Sequence, residues 1–165
     1  AQRVNADLSN NFGNLIQRIA SFIIKNANSE VTKPKKLEES DEKLIKLFNE
    51  IFKDYLNYMD DFQIDRALKN VFKYLSEVNA YVDYQAPWSL KKTDTERMQD
   101  VLYVITLITI KCSVLLQPVM PSSIDKILNI YNLSLKDLNL TNINEFNPNT
   151  VKLNKPNPIF PRIDL

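Results

Sequence analysis

Apolar residues recur every three or four positions along much of the chain, which is the spacing of one helix face. The first such stripe predicts an amphipathic helix over roughly residues 5–27, and a lysine-rich linker that contains Pro34 follows it. A second stripe predicts a helix over residues 44–56, with Ser40 or Asp41 as its candidate cap.

A third stripe runs over residues 64–82, and its helix should end before Pro87 because a proline displaces the preceding residue from helical geometry. The sequence TDTE, residues 93–96, has the form of a capping box and predicts a fourth helix over residues 98–116. That segment is rich in β-branched residues, but it is too long for an ordinary strand and it contains Lys111. We therefore interpret it as a buried central helix.

Prolines at positions 118 and 121 should end the central helix, and a short fifth helix is predicted over residues 124–131. The remaining chain is rich in Asn, Pro and Leu, which predicts turns, one helical turn near residues 135–138 and an extended end over residues 154–165. The pattern as a whole predicts an all-α fold, an antiparallel bundle of about five helices over residues 1–135. Residues 136–165 are predicted to form an irregular, Pro-rich C-terminal extension.

The composition excludes several classes of catalytic site. The 165 residues include no His, a single Gly (Gly13) and a single Cys (Cys112), and the formal net charge is +1. A Ser-His-Asp triad, a glycine-rich phosphate loop and a cysteine zinc cluster therefore cannot form, and we predict neither catalytic nor metal-binding residues. Cys112 is expected in the core. Because the chain begins at Ala1 without Met or a signal peptide, we expect it to be part of a longer cytosolic protein.

The only tryptophan of the chain, Trp88, directly follows Pro87 at the predicted end of the third helix, in the sequence VDYQAPWSLKK. Unpaired bases of RNA stack on exposed aromatic rings, and a Trp displaced from its helix by a proline can expose one indole face. The alternative is that Trp88 packs against the end of the bundle as part of the core.

Two polar side chains, Asn14 and Arg18, lie four residues apart on the first predicted helix and therefore share one face. Together they could surround the edge of one base, although a solvated polar pair has the same spacing. Three basic residues close to Trp88 in sequence could contact phosphates or could belong to a charged helix start: Lys91, Lys92 and Arg97.

Four sequence segments occur in an order typical of one protein family. They are NADLSNNFGNLIQR, AYVDYQAPWSLKK, LLQPVMP and IFPRI. Their order resembles the C-terminal anticodon-binding domain of methionyl-tRNA synthetases, which are class I aminoacyl-tRNA synthetases. The likeness covers nearly the whole chain, and the first two segments carry most of its specificity.

The resemblance implies a role for each matching residue. Asn14 and Arg18 match positions that contact the first anticodon base, Trp88 matches the aromatic that stacks on that base, and Pro87 matches the proline that positions it. The implied function is recognition of the CAU anticodon of tRNA(Met), mainly its first base. The implied parent enzyme uses ATP with Mg to join methionine to the tRNA through a methionyl-adenylate.

The resemblance also implies that the C-terminal extension, residues 136–165, folds back on the rest of the enzyme; the alternative is a disordered end. It implies partners and a location as well. The HIGH and KMSKS motifs of the catalytic domain do not occur, so we expect catalysis in an N-terminal domain of the same chain and neither cofactor nor activity in this part. We expect a cytoplasmic protein without a membrane partner. The parent is expected to be a monomer, because no tRNA-binding dimerisation domain follows FPRIDL.

Two alternative functions remain open. The chain could be the anticodon-binding domain of a related class I synthetase that charges Val, Ile, Leu or Cys, although the set of Asn14, Arg18 and Trp88 argues against it. It could also be a helical protein-interaction module that does not bind RNA. In that case Trp88 would be dispensable for RNA binding.

Overall fold

The structure, a computed structural model, describes the backbone of residues 2–154 and the side chains of residues 8–154. Within that range the elements in chain order are α1 (Gln2–Asn26), β1 (Glu30–Thr32), α2 (Glu39–Asp60), α3 (Ile64–Gln85), α4 (Pro87–Thr93), α5 (Thr95–Leu115), α6 (Pro121–Ile130), a 3-10 turn (Ile143–Glu145) and β2 (Thr150–Lys152). The predicted all-α bundle is confirmed. The five predicted helices correspond to α1, α2, α3, α5 and α6, whereas the short α4 was not predicted.

The predicted central helix is α5, and it is the core of the bundle. Every residue from Val101 to Leu116 is buried, because α5 contacts α1, α2, α3, α4, α6 and β1. Its length and composition would suffice to cross a membrane, but 89% of its apolar window is buried inside the protein. Cys112 lies on this helix as predicted, and complete burial raises the pKa of its thiol.

The start of α5 differs from the predicted capping box. Asp94, not Thr93, is the N-cap, and its carboxylate accepts a hydrogen bond from the backbone N–H of Arg97 at 3.0 Å. A carboxylate at this position satisfies a backbone donor that has no partner within the helix. The helix therefore begins at Thr95, three residues before the predicted start at Met98.

The long helices α2 and α3 form a hairpin that packs against α5. The hydroxyl of Tyr74 on α3 donates to the carbonyl of Leu44 on α2 at 2.8 Å, and the ring of Tyr74 lies edge-on to Phe48. On the opposite half of α2, the hydroxyl of Tyr55 donates to the carbonyl of Leu115 on α5 at 3.0 Å. These contacts place the start of α2, the end of α3 and the start of α5 at one end of the bundle.

The C-terminal part of the described chain returns to the end of α1. The two short strands pair antiparallel, with Val31 opposite Val151, and both valines are buried. The predicted helical turn near residues 135–138 is confirmed by a bond from the N–H of Leu138 to the carbonyl of Ser134 at 3.0 Å. A division of the chain at residue 135 stays a prediction, and the predicted extended end at residues 155–165 lies outside the described residues.

Candidate functional site

A sharp corner between α3 and α4 positions Trp88. Ala86 ends α3 and begins α4, with φ 46° and ψ 67° in the left-handed region. Pro87 is then the first residue of α4, where its missing N–H removes no hydrogen bond and its fixed φ suits a helix. The chain thus turns at Ala86, and Trp88 lies in the first turn of a new helix rather than in an irregular segment.

The indole of Trp88 is half-buried, and its contacts are with α1. The ring of Phe22 meets it edge-on, with centroids 6.4 Å apart and planes 86° apart. The guanidinium carbon of Arg18 lies 5.0 Å from the indole centroid. Edge-to-face and cation–π contacts of this kind each contribute roughly 0.5–1.5 kcal/mol. The indole is thus held on α1 without being enclosed by it.

The polar residues predicted from α1 lie at this corner. Arg18 and Asn14 are both exposed and one helical turn apart, while Leu15 and Ile16 between them are buried in the core. The structure therefore brings Arg18 into contact with Trp88 and places Asn14 on the same helix face, one turn further from Phe22. Pro87 is buried.

Phe22 was interpreted from the sequence only as part of the apolar stripe of α1. Its partly buried ring packs against Trp88, so it supports the candidate site as well as the core. Its spacing of four residues from Arg18 could have indicated this role, because residues four apart share a helix face.

Of the basic residues predicted near Trp88, two are exposed. Lys91 and Lys92 occupy the last turn of α4, where cations are favoured by the helix dipole. Neither forms an ion pair with another residue of the described range. They are therefore available to a phosphate.

Arg97 is largely buried, whereas a contact with a phosphate requires an exposed side chain. Its side chain is 11% exposed, and its guanidinium pairs with the carboxylate of Asp41 at 2.7 and 2.9 Å. The hydrogen bonds to Asp41 raise the pKa of Arg97 above its ordinary value, despite the opposing effect of burial. Because the fork of donors is already occupied inside the protein, Arg97 is a poor candidate for a tRNA contact.

Other candidate sites are weaker. An open groove of about 450 Å³ lies between the linker after β1 and the start of α5, but its rim carries both signs of charge: Lys33, Lys35 and Lys36 face Glu96 and Asp100. A phosphate there would meet carboxylates as well as ammonium groups. Among residues 8–154, no group of three His, Cys, Asp or Glu side chains could hold a metal ion.

Comparison with known sequences identifies related proteins. A family model described as the anticodon binding domain of methionyl tRNA ligase matches residues 31–164. A methionine–tRNA ligase of Fusobacterium nucleatum is 32% identical over 169 residues, which cover 99% of this chain and 27% of the relative. A methionine–tRNA ligase of Rhizobium meliloti is 34% identical over 164 residues, which cover 98% of this chain and 32% of the relative. The chain thus spans about a third or less of these relatives.

Solved structures give the same result. The free methionyl-tRNA synthetase of Mycobacterium tuberculosis superposes with a TM-score of 0.88 at 28% identity, covering 99% of this chain and 34% of that one. The same protein in complex with methionyl-adenylate gives a TM-score of 0.87 at 29% identity, covering 97% and 32%. The family match includes Pro87 and Trp88 but begins after α1, whereas these wider alignments extend over nearly the whole chain.

Proposed function

Since the chain belongs to the family of anticodon-binding domains of methionyl-tRNA ligases, we propose that it binds tRNA(Met) and reads the CAU anticodon, mainly through its first base. The observation that carries this proposal is the contact between Arg18 and Trp88 at 5.0 Å, with Asn14 one helical turn away. An aromatic platform beside donors for a base edge is how proteins read unpaired RNA bases.

Trp88 supplies the platform in this proposal. Its indole is anchored by the edge of Phe22 and retains exposed surface, so a base can stack on it without the protein having to unfold locally. Such a stack contributes about 1–3 kcal/mol and does not depend on which base is present.

Arg18 and Asn14 supply the specificity. Cytosine presents N3 and O2 as acceptors, whereas uracil carries an N–H at the same ring position, and the arginine side chain can only donate. Arg18 lies close enough to the indole to turn from its face to the edge of a stacked base. A uracil in that place would leave an arginine donor without its acceptor, which is the source of discrimination.

Lys91 and Lys92 are proposed to contact phosphates, because both are exposed at the end of α4 beside Trp88. Such contacts position the RNA without reading its sequence. Arg97 has no part in this proposed interface.

The parent protein is proposed to be a methionine–tRNA ligase, active in translation in the cytoplasm. Its N-terminal catalytic domain would use ATP with Mg to form methionyl-adenylate, while this chain would hold the anticodon and take no part in the chemistry. The lengths of the relatives support this division, since this chain spans 27% of one and 32% of the other. We also propose that the parent is a monomer. We propose that it has no membrane partner, in line with the burial of α5 inside the protein.

The test is titration of the full-length enzyme with tRNA(Met) and with a variant whose anticodon begins with uracil, at two salt concentrations. Trp88→Ala should weaken both complexes by about 1–3 kcal/mol, which is roughly fivefold to 150-fold in Kd. Arg18→Ala should weaken the cytosine complex more than the uracil complex, by a similar magnitude. Lys91→Ala should weaken both equally and lower the salt slope by about one unit.

The matched control is Phe62→Ala, which removes another exposed aromatic side chain, from the turn between α2 and α3 at the opposite end of the bundle. It should leave both affinities unchanged. Equal weakening of both complexes by Arg18→Ala would make Arg18 a backbone contact. Preference for a valine, isoleucine, leucine or cysteine tRNA would support a related synthetase, and absence of RNA binding would support an interaction module.

A further inference from the structure

We propose that Arg97 and Gln85 are positioning residues for Trp88, and that the buried ion pair of Arg97 with Asp41 fixes the orientation of α4 before RNA binds. This inference rests on the proposed role of Trp88 in base stacking. It gives Arg97 a function in RNA recognition without any contact to RNA.

The carboxylate of Asp41 is the centre of a buried cluster of hydrogen bonds. Asp41, with 0% exposure, accepts two hydrogen bonds from Arg97, at 2.7 and 2.9 Å, and one from the N–H of Glu38 at 3.0 Å. The hydroxyl of Tyr81 also donates to this carboxylate. A bidentate pair with these additional bonds has one geometry, because each bond is directional and water is excluded. The cluster is thus a rigid point that joins α2, α3 and α5.

This rigid point is connected to both ends of α4. Arg97 is the third residue of α5, and its Nη2 donates to the Oε1 of Gln85 at 3.1 Å. Gln85 is the last residue of α3, directly before the corner at Ala86, and its Nε2 donates to the Oγ of Ser40 on α2 at 3.0 Å. The guanidinium of Arg97 therefore connects Gln85, which precedes the corner, to α5, which follows α4.

The short helix α4 needs this support. It has only seven residues, and a helix of that length is not stable by itself in water. Its orientation must come from its two ends and from the packing of Pro87, Trp88 and Leu90. If the ends were free, the indole could take several orientations on α1, and each RNA binding event would have to select one of them.

The alternative is that the cluster only stabilises the fold. Trp88 provides a direct way to distinguish the two, because it is the only tryptophan of the chain and its fluorescence reports on the corner alone. A purely structural role changes the melting temperature. A positioning role also changes the emission and the quenching of Trp88 in the folded protein.

The experiment uses the full-length enzyme with every tryptophan outside this chain replaced by phenylalanine. Gln85→Ala leaves the buried pair intact and removes its link to the corner, while Arg97→Lys keeps the charge and removes the fork of donors. In both variants we expect greater quenching of Trp88 by acrylamide and a Kd for tRNA(Met) that rises about threefold to thirtyfold. The preference for cytosine over uracil should fall, because Arg18 reads the base only when the indole holds it in place.

The matched control is Tyr55→Phe, which deletes a buried hydrogen bond at the opposite end of the bundle. It should lower the melting temperature while leaving quenching and affinity unchanged. In a Trp88→Ala background, Gln85→Ala should have no further effect on affinity, because it acts through the indole.

Two results separate this inference from the proposed function. If Trp88→Ala weakens binding but Gln85→Ala and Arg97→Lys lower only the melting temperature, the positioning role is wrong and the stacking role stands. If Trp88→Ala itself leaves the affinity unchanged, the proposed function fails, and the positioning role with it.

Discussion

Asp41 is an ionisable side chain with 0% solvent exposure, and two opposing effects act on the pKa of its carboxyl. Burial raises this pKa, because a charge is less stable away from water. The hydrogen bonds from Arg97, Tyr81 and the N–H of Glu38 lower it, and together they outweigh burial, so that the pKa lies below the ordinary value of 3.8. The folded protein therefore holds Asp41 as a carboxylate.

We expect Asp41→Asn to lower the free energy of unfolding at pH 7 by about 1–3 kcal/mol, because Arg97 then keeps only the exposed carboxylate of Glu38, 3.2 Å away, as its counter-ion. In the protein without this substitution, the unfolded chain binds more protons than the folded chain between pH 3.8 and the lower pKa that Asp41 has in the folded state. The contribution of Asp41 is thus complete above 3.8 and is lost on acidification through this interval. Urea denaturation at pH 7 and near pH 3 measures both effects. If the difference in free energy of unfolding between the Asp41→Asn variant and the unsubstituted protein were as large near pH 3 as at pH 7, the prediction would be wrong.

Among the elements, α4 begins at a sharp corner formed by Ala86. Ala86 has φ 46°, in a region where a Cβ atom approaches the following carbonyl oxygen. Its carbonyl nevertheless accepts hydrogen bonds from the N–H groups of Ser89 and Leu90 at 2.9 and 3.2 Å, so it begins α4 while it ends α3. The corner combines a strained backbone with a proline suited to a helix start.

Substitutions at Ala86 should show this strain. Ala86→Gly relieves the contact of the Cβ atom but adds freedom to the unfolded chain, so stability should rise by at most about 1 kcal/mol. Ala86→Val should lower it by about 1–3 kcal/mol, because a β-branched residue is strongly disfavoured at positive φ. Chemical denaturation measures both. Equal stability of the two variants would show that the corner relaxes without cost.

For the whole molecule, the two short strands connect segments that are distant in sequence. Two hydrogen bonds add to the pairing of β1 with β2. The N–H of Leu153 donates to the carbonyl of Ser29 at 2.7 Å, and the N–H of Asn154 donates to the carbonyl of Ile130 at 2.7 Å. The hydroxyl of Tyr103 on α5 contacts the carbonyl of Pro148. The residues after α6 thereby hold the end of α1, which carries Phe22, against the start of α5.

We expect Val31→Ala and Val151→Ala each to destabilise the protein by about 1–3 kcal/mol, because both side chains are buried and β1 packs against α5. The double variant should lose less than the sum, since the two residues face each other. Thermal unfolding of the unsubstituted protein, the two single variants and the double variant measures these losses of stability. Thr32→Ala, exposed on the same strand, is the control and should change stability by less than about 0.5 kcal/mol. Fully additive losses would show that the strands stabilise the fold independently.

The periodicity of apolar residues was enough to predict five helices, including α5, whose β-branched residues could suggest a strand. Helix formation depends on residues three and four positions apart, and such local patterns are visible in a sequence. The motifs identified Asn14, Arg18, Pro87 and Trp88 as candidate site residues through the resemblance to a known family. The proposed contacts of these residues with the anticodon stay predictions.

Only the tertiary structure decided the roles of Arg97, Asp41 and Phe22. Arg97 resembles a phosphate contact in the sequence because it follows two lysines, but its partner Asp41 lies 56 residues away. Asp41 resembles a local cap, and nothing in its neighbourhood indicates complete burial. The pairing of Val31 with Val151 was likewise invisible, because strands of three residues show no period. Local periodicity determines where helices form, whereas ion pairs, strand pairs and the corner that presents Trp88 depend on contacts that exist only after the helices have packed.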